Sequence, residues 1–460
     1  MKKFLIYLFF FLPVCISAKE VTTINVTAND NLETLLGDKK YEIDSLVLTG
    51  YLRTEDFHIL RVCAYKGNLR GLNMENCSVE GDSIPEYGLS GGTGVNGLKY
   101  FDFPKNLEKI CRFAFYGTPL CAIKLPASLK RIEDNAFRLS GGPKKNVVIS
   151  EGVVHIGQSA FNSCGIDTLT LPSTLQELGK EAFGSCGIRS VEIKAELHKI
   201  EAGVFALNSF EELVLPESIN EISIGSFSGL GHLKRLVLPR DLKIIPKINF
   251  TSYSELEKIK FPENLETIED EAFSGTYVGK QLILPDKLQF IGKEVFGYLP
   301  KLEMLVLPAS LGAVGENAFL NVSSALKAVY TKNPVPPTYT IGAHIPFANL
   351  ADDAVLYVPV GSLEAYKACS FFSRFKTIKE TSTFPTGIEN VVARGRSATA
   401  KGGDGSITIS SDSAKSGYSV FSLDGRKVCN GNVSGIAVVS VGAGTYVVVV
   451  DGTKTKVVVR

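Results

Sequence analysis

A chain of 460 residues, 45% hydrophobic and 21% charged, can bury more than one core, which argues against wholesale disorder. Its net charge of +1 supplies no long-range field toward nucleic acid or anionic lipid. The five histidines are scattered and the nine cysteines form no CxxC pair, so no metal site is expected.

Residues 1–18 read as a signal peptide. Lys2 and Lys3 form a basic start, Phe4 to Val14 an apolar stretch, and Ile16-Ser17-Ala18 a cleavage site. A lipid-anchored alternative through Cys15 would need a small residue where Val14 stands. Removing the segment takes the net charge from +1 to −1. No later run reaches ~18 apolar residues, so no internal membrane-crossing helix is expected. The chain is expected to leave the cytoplasm and to lie on the outer surface or outside the cell. Residues 19–98 carry Leu46-Val47-Leu48-Thr49-Gly50, Asp56-Phe57 and Leu69 to Met74, with a glycine-rich loop from Gly88 to Gly97. They are expected to form irregular coils and a cap, because a bare end coil would expose a slab of core.

From about Lys99 to Thr331 the chain repeats. An apolar-Pro step recurs at Phe103-Pro104, Leu125-Pro126, Leu171-Pro172, Leu215-Pro216, Leu238-Pro239, Phe261-Pro262, Leu284-Pro285 and Leu307-Pro308. Ile149-Ser150 and Ile193-Lys194 fill the two gaps, giving ten anchors spaced by 22 to 24 residues. Eleven residues after each stands a phenylalanine: Phe115, Phe137, Phe161, Phe183, Phe205, Phe227, Phe250, Phe273, Phe296 and Phe319. A unit this short cannot bury its own core, so its neighbours must cover it, and a shared phase would stack the rings in one column. The segment before each anchor alternates, as in Ile166-x-x-Leu169-x-Leu171, like a strand with one buried face. Parallel stacking at ~4.8 Å predicts one sheet roughly 45 Å long. Proline ends each strand, having no N–H to continue the ladder.

The pattern LPxxLxxIxxxAFxxCxxLxxLxLP, nearly whole from Leu171 to Ile193, resembles the BspA-like leucine-rich repeats of surface proteins from Bacteroidetes and some protists. The resemblance implies an α/β-type repeat solenoid rich in short parallel β-strands. It also implies a role in adhesion to matrix proteins, bacteria or host cells, without fixing the ligand.

Pro334-Val335-Pro336-Pro337 breaks the period. Leu356-Tyr357-Val358-Pro359 and a helix from Ser362 to Cys369 are expected to close the core within residues 332–380. This segment also resembles the end of such arrays, although a Trp often found near the position of Phe371 or Phe372 is missing. Residues 381–405 read as a linker. Residues 406–460 read as a small all-β sandwich with strands at Ser406 to Ser410, Tyr418 to Leu423, Gly435 to Val441, Gly444 to Val450 and Lys454 to Arg460, and a hairpin at Asp424-Gly425. The run Val420 to Arg426, Gly444-Thr445-Tyr446 and the terminal Lys456 to Val459 resemble the sorting domains of type IX secretion cargo. A plain immunoglobulin-like module fits the same pattern.

The outward strand positions are the candidate binding face. They begin with Thr168, Thr170, Ser190, Glu192, Glu212 and Val214. They continue as an apolar stripe with a basic rim: Arg235, Val237, Lys258, Lys260, Gln281, Ile283, Met304 and Val306. The alternative is that these residues only suit a strand, or that another segment covers them. Cys164 and Cys186 share a phase one coil apart, either as stacked buried thiols with Thr118, Ser140 and Asn208, or as a disulfide. Asp44-Ser45-Leu46, Asp82-Ser83-Ile84, Asp167-Thr168-Leu169 and Asp412-Ser413-Ala414 match a glycosylation pattern of Bacteroidetes, and Asn25, Asn76, Asn249, Asn321 and Asn432 match another. Glu269-Asp270-Glu271 reads as a hydrated turn. With no GxSxG, HExxH, P-loop or GxGxxG, neither catalytic residues nor a cofactor is expected. The expectation is a monomer that binds a protein or glycan at a cell surface and does not bind nucleic acid; the alternatives are a structural surface protein without a dedicated ligand and, third, a hydrolase built on loops.

Overall fold

The computed structural model describes residues 21–91, 97–251, 255–256, 258–322, 324–340, 347, 350–385, 398–403, 406–422, 426–450 and 453–459. The signal segment at residues 1–18 and the Asp424-Gly425 hairpin lie outside the described residues. The chain divides into two compact units, Met1–Pro385 and Thr386–Arg460, each with its own apolar core.

The first unit is a solenoid with two parallel ladders. The alternation before each anchor forms the first, in which Ile166–Leu171 pairs on one side with Lys145–Val148 and on the other with Ser190–Ile193. Leu169 and Leu171 point into the core while Thr168 is exposed, so the period of two in the sequence is a period of two in burial. The second ladder uses two-residue strands such as Arg131–Ile132, His155–Ile156 and Glu177–Leu178, whose second residue enters the core. Two ladders stand where one was expected. The first is also interrupted: among the described residues, beyond the N-terminal sheet that holds Tyr100–Asp102, its strands fall into separate blocks of three, three and five, the last including two strands of the closing segment. Residues 117–126 carry no strand, and Pro119 removes an amide there. The chain forms the expected repeat solenoid of short parallel strands, with little helix: no described residue between 99 and 331 is α-helical.

The arc between the ladders is built around the phenylalanines. Consecutive rings from Phe115 to Phe319 lie 4.9 to 6.3 Å apart and tilt by 6° to 19°. Phe347 extends the column by one ring at 5.7 Å. Such offset stacking adds to simple area burial. Two residues before each ring the backbone is left-handed, at Phe113, Asn135, Ser159, Glu181, Gly203, Gly225, Ile248, Glu271, Glu294 and Asn317. The turn this creates aims amides at the next coil. Phe115, Phe137 and Phe161 donate to Ala136, Ala160 and Ala182 at 2.7, 2.7 and 2.8 Å. The left-handed Asn135 and Ser159 likewise donate to Gln158 and Lys180 at 2.9 and 2.8 Å.

At the N-terminal end Val21–Val26, Ser45–Leu52, Gly71–Val79 and Tyr100–Asp102 form one parallel sheet. The helices Leu32–Leu36 and Asp56–Tyr65 follow its first two strands. At the other end Val355–Pro359 and Thr377–Thr381 add two strands. The helix Leu363–Ala368 brings Tyr366 inward, where its hydroxyl meets Thr331 Oγ1 at 2.9 Å and donates to the Asn333 carbonyl at 2.8 Å. Phe371, Phe372 and Phe375 pack on Phe347 and finish the core.

The second unit is antiparallel. Ser406–Ser422 is a single long strand where two short ones were expected, and it pairs with Ala398–Gly403, Lys427–Ser440 and Gly444–Val450. Thr453–Val459 pairs with Gly444–Val450. Ala398–Gly403 lies within the expected linker. Its Gly-rich sequence carries no strand pattern, and backbone pairing alone defines it. Ile407, Ile409, Val420, Val448, Val450, Val457 and Val459 form the core.

Truncating one ring should cost the column two stacking contacts and leave a void between coils. Phe183→Ala is expected to destabilise the solenoid by about 3–5 kcal/mol in a denaturant titration. Ile248 is a β-branched residue at φ 58 with a partly exposed side chain. Ile248→Gly should therefore raise stability by about 1 kcal/mol in the same measurement.

Candidate binding face

The outward columns of the first ladder bring the candidate residues into register. Glu212 stands beside Arg235 and Lys258, and Val214 beside Val237 and Lys260. On a separate block of the ladder Gln281, Met304, Ala328, Val355 and Thr377 form one column, flanked by Ile283, Val306, Tyr330, Tyr357 and Lys379. Thr168, Ser190, Glu192, Glu212, Val214, Lys260 and Gln281 are exposed, and Thr170, Arg235, Val237, Ile283 and Met304 are half-buried. Arg235 is engaged by Glu212 in an ion pair. For Lys258 only the backbone position is described.

Val306 corrects the expectation of an exposed stripe, being 0% exposed. It stands outside the main core cluster, in register between the longer Ile283 and Tyr330 on adjacent strands. The outward positions expected from the sequence end at Val306 and miss Tyr330 and Tyr357, whose rings stack at 4.5 Å and 8°. The signal was the Val358-Pro359 step, an anchor that returns after the period is broken.

The second ladder presents a different surface. Lys109, Arg131, His155 and Glu177 stand in register, and Glu133 gathers Lys109, Arg131 and His155 at 3.3, 3.0 and 3.8 Å. Burial pushes the Glu133 carboxyl upward, but the Arg131 and Lys109 contacts outweigh it and hold it below the usual range. Lys199 bridges Glu201 and Glu221 at 3.3 and 2.9 Å. Charges here neutralise one another across coils. Glu269 and Asp270 accept the amides of Lys247 and Lys293 at 3.2 and 2.7 Å, so they brace turns. Among the described residues no group of three or more His, Cys, Asp or Glu is placed to hold a metal ion.

Inside, three residues past the first five rings, runs a column of Thr118, Ser140, Cys164, Cys186 and Asn208. Ser140 Oγ, Cys186 Sγ and Asn208 Nδ2 donate to the carbonyls of Phe115, Phe161 and Phe183 at 2.6, 2.9 and 2.9 Å. Cys164 Sγ donates to the Ser140 carbonyl at 3.6 Å. Cys164 and Cys186 are free thiols in this column, each serving a carbonyl of the preceding coil. Asn249 is fully buried, its amide donating to the Ser223 and Pro246 carbonyls, so the folded chain offers no acceptor there. Asp167 is held in a two-point ion pair by Arg189, which keeps its carboxyl below the usual value.

Two parallel ladders, a stacked aromatic column and inter-coil polar bonds define a leucine-rich-repeat solenoid. The BspA type leucine-rich repeat region, in six copies, matches residues 76–142, 140–257 and 243–344, and the chain belongs to that family. Among solved structures, a leucine-rich repeat protein from Bacteroides ovatus is 22% identical, over 65% of this chain and 78% of that one, with a TM-score of 0.41. The pneumococcal vaccine antigen PcpA is 20% identical over 74% of this chain and 80% of its own, with a TM-score of 0.36. A leucine-rich cell surface protein from Faecalibacterium prausnitzii is 12% identical over 73% and 83%, with a TM-score of 0.28. No curated protein matches the chain. Among the described residues no helix is long and apolar enough to cross a membrane.

Burial lifts the Cys164 thiol from its ordinary 9.0 to about 11 and raises Cys186 as well. Both folded values exceed the unfolded ones. The stability these thiols contribute is complete below the ordinary value and is lost as pH rises toward the raised one. At pH 8 the pair should resist alkylation until the chain is denatured, and stability should fall between pH 9 and 11, as read by mass spectrometry and by melts across that range.

Proposed function

We propose that this chain is an exported cell-surface protein that binds a protein or glycan partner through the outward face of its first ladder. The supporting observation is a set of apolar residues on the side away from the core: Val214 in register with Val237 and, on a separate block of the ladder, Ile283 and Met304 on adjacent strands. The core cluster does not include Val214, Val237 or Met304, so the solenoid does not need them to be apolar. A partner that covers them does. Export rests on the basic start, apolar stretch and cleavage site of residues 1–18. The antiparallel second unit acts as a sorting domain for that route, in keeping with the Val420 to Arg426 and terminal strand motifs.

Protease treatment of intact cells should degrade the protein, and digestion only after lysis would sink the surface assignment. On an array of glycans and matrix glycoproteins the purified full chain should bind a restricted set. Val237→Asp should weaken that binding about tenfold. An array without specific binding would instead mark a structural surface protein. Deleting residues 386–460 should leave the protein inside the cell envelope, and unchanged surface display would rule out a sorting role.

A further inference from the structure

The chemistry of the ligand is narrowed by the last six coils of the first ladder, and this step rests on the binding role proposed for that ladder. We propose that the face running from Lys260 to Lys379 binds an anionic polysaccharide laid along the stacking direction. From Lys258 onward the outward register positions hold three lysines and neither Asp nor Glu. Earlier coils differ, since Glu192 and Glu212 stand at the same positions. Lys260 and Lys379 are exposed and have no carboxylate partner among the described residues, whereas Lys280, Lys327 and Lys376 nearby are paired with Glu303, Asp353 and Asp352. Two unneutralised cations at the ends of one face attract an anion.

Between them lie Ile283, Val306 and the stacked Tyr330 and Tyr357. Neither tyrosine hydroxyl has a hydrogen-bond partner among the described residues, although both side chains are half-buried. Neither hydroxyl is among the buried polar atoms that lack a partner, so both reach solvent and can donate to an acceptor on a ligand. The ligand must therefore offer apolar surface and acceptors together, repeated at about one coil spacing of ~4.8 Å. A pyranose ring is about that long and supplies both. An extended acidic peptide fits less well, because peptides of that kind add to a free sheet edge. The strands carrying Tyr330 and Tyr357 are paired on both sides.

The full chain would be tested for binding to heparin, polygalacturonate, neutral dextran and polyglutamate at rising salt. The expected result is salt-sensitive binding to heparin or polygalacturonate, the two arms separating sulfate from carboxylate recognition, with weak binding to dextran and polyglutamate. The double reversal K260E with K379E should lower affinity about tenfold or more. Y330S with Y357S should do the same, while Y330F with Y357F should lose less. Equal binding to polyglutamate would overturn the proposal, as would equal binding to dextran or retention of affinity in both the lysine and the serine variants. Should the serine variant fail to fold, the exposed lysines decide alone. If Val237→Asp abolishes binding to an arrayed glycoprotein while no polysaccharide binds, this proposal falls and the general binding role stands.

Discussion

Each coil of this solenoid is one strand thick and leaves apolar side chains facing both of its neighbours. No coil can remove that surface from water alone, so stability exists only in the stack. The phenylalanine column is where this constraint is met most strictly. A ring such as Phe183 is covered by Phe161 and Phe205, and a change in phase at any coil would open a gap on two sides. The same stacking brings the Phe amides within reach of carbonyls one coil on, and the thiol and hydroxyl column serves the carbonyls of the spine. Apolar cover and backbone satisfaction are thus achieved by one register.

Strict interior phase leaves the outward positions free to vary, and the two ladders have used that freedom differently. Along the second ladder Glu133 and Lys199 connect successive coils through ion pairs with Lys109 and Glu221, and His155 lies against both Glu133 and Glu177. A surface whose charges are already neutralised has little left for a ligand, and such pairs contribute modestly to stability in water. The first ladder loses its carboxylates toward the C-terminal end and gains Ile283, Met304, Tyr330 and Tyr357. Rigid, repeated side chains at a fixed spacing suit recognition of a polymeric or flat partner, since little conformational entropy remains to be lost on binding.

The closing segment has a second effect besides capping. By adding Val355–Pro359 and Thr377–Thr381 to the ladder it lengthens the outward face by two strands while Phe371, Phe372 and Phe375 seal the core behind it. Tyr366, bonded to Thr331 and Asn333, ties the helix to the last regular coil. Cap and face are therefore one structural element.

The repeat length, the phenylalanine phase and the inward Leu and Ile positions were legible in the sequence, because each recurs 22 to 24 residues later and period alone reveals it. What recurs with only two residues per coil was not: Arg131–Ile132 and His155–Ile156 become a ladder only when their neighbours are stacked beside them. Likewise the left-handed backbone at Glu181 or Ile248 has no residue signature, since Phe, Asn, Ser, Glu, Gly and Ile all adopt it at this position of successive coils. For the face, the sequence determined which residues point away from the core through strict alternation. Only the tertiary structure decided that Val306 is buried, that Tyr330 meets Tyr357, and that Glu212 engages Arg235. Those outcomes depend on contacts between residues a full coil apart, and local sequence carries no record of what lies beside it in space.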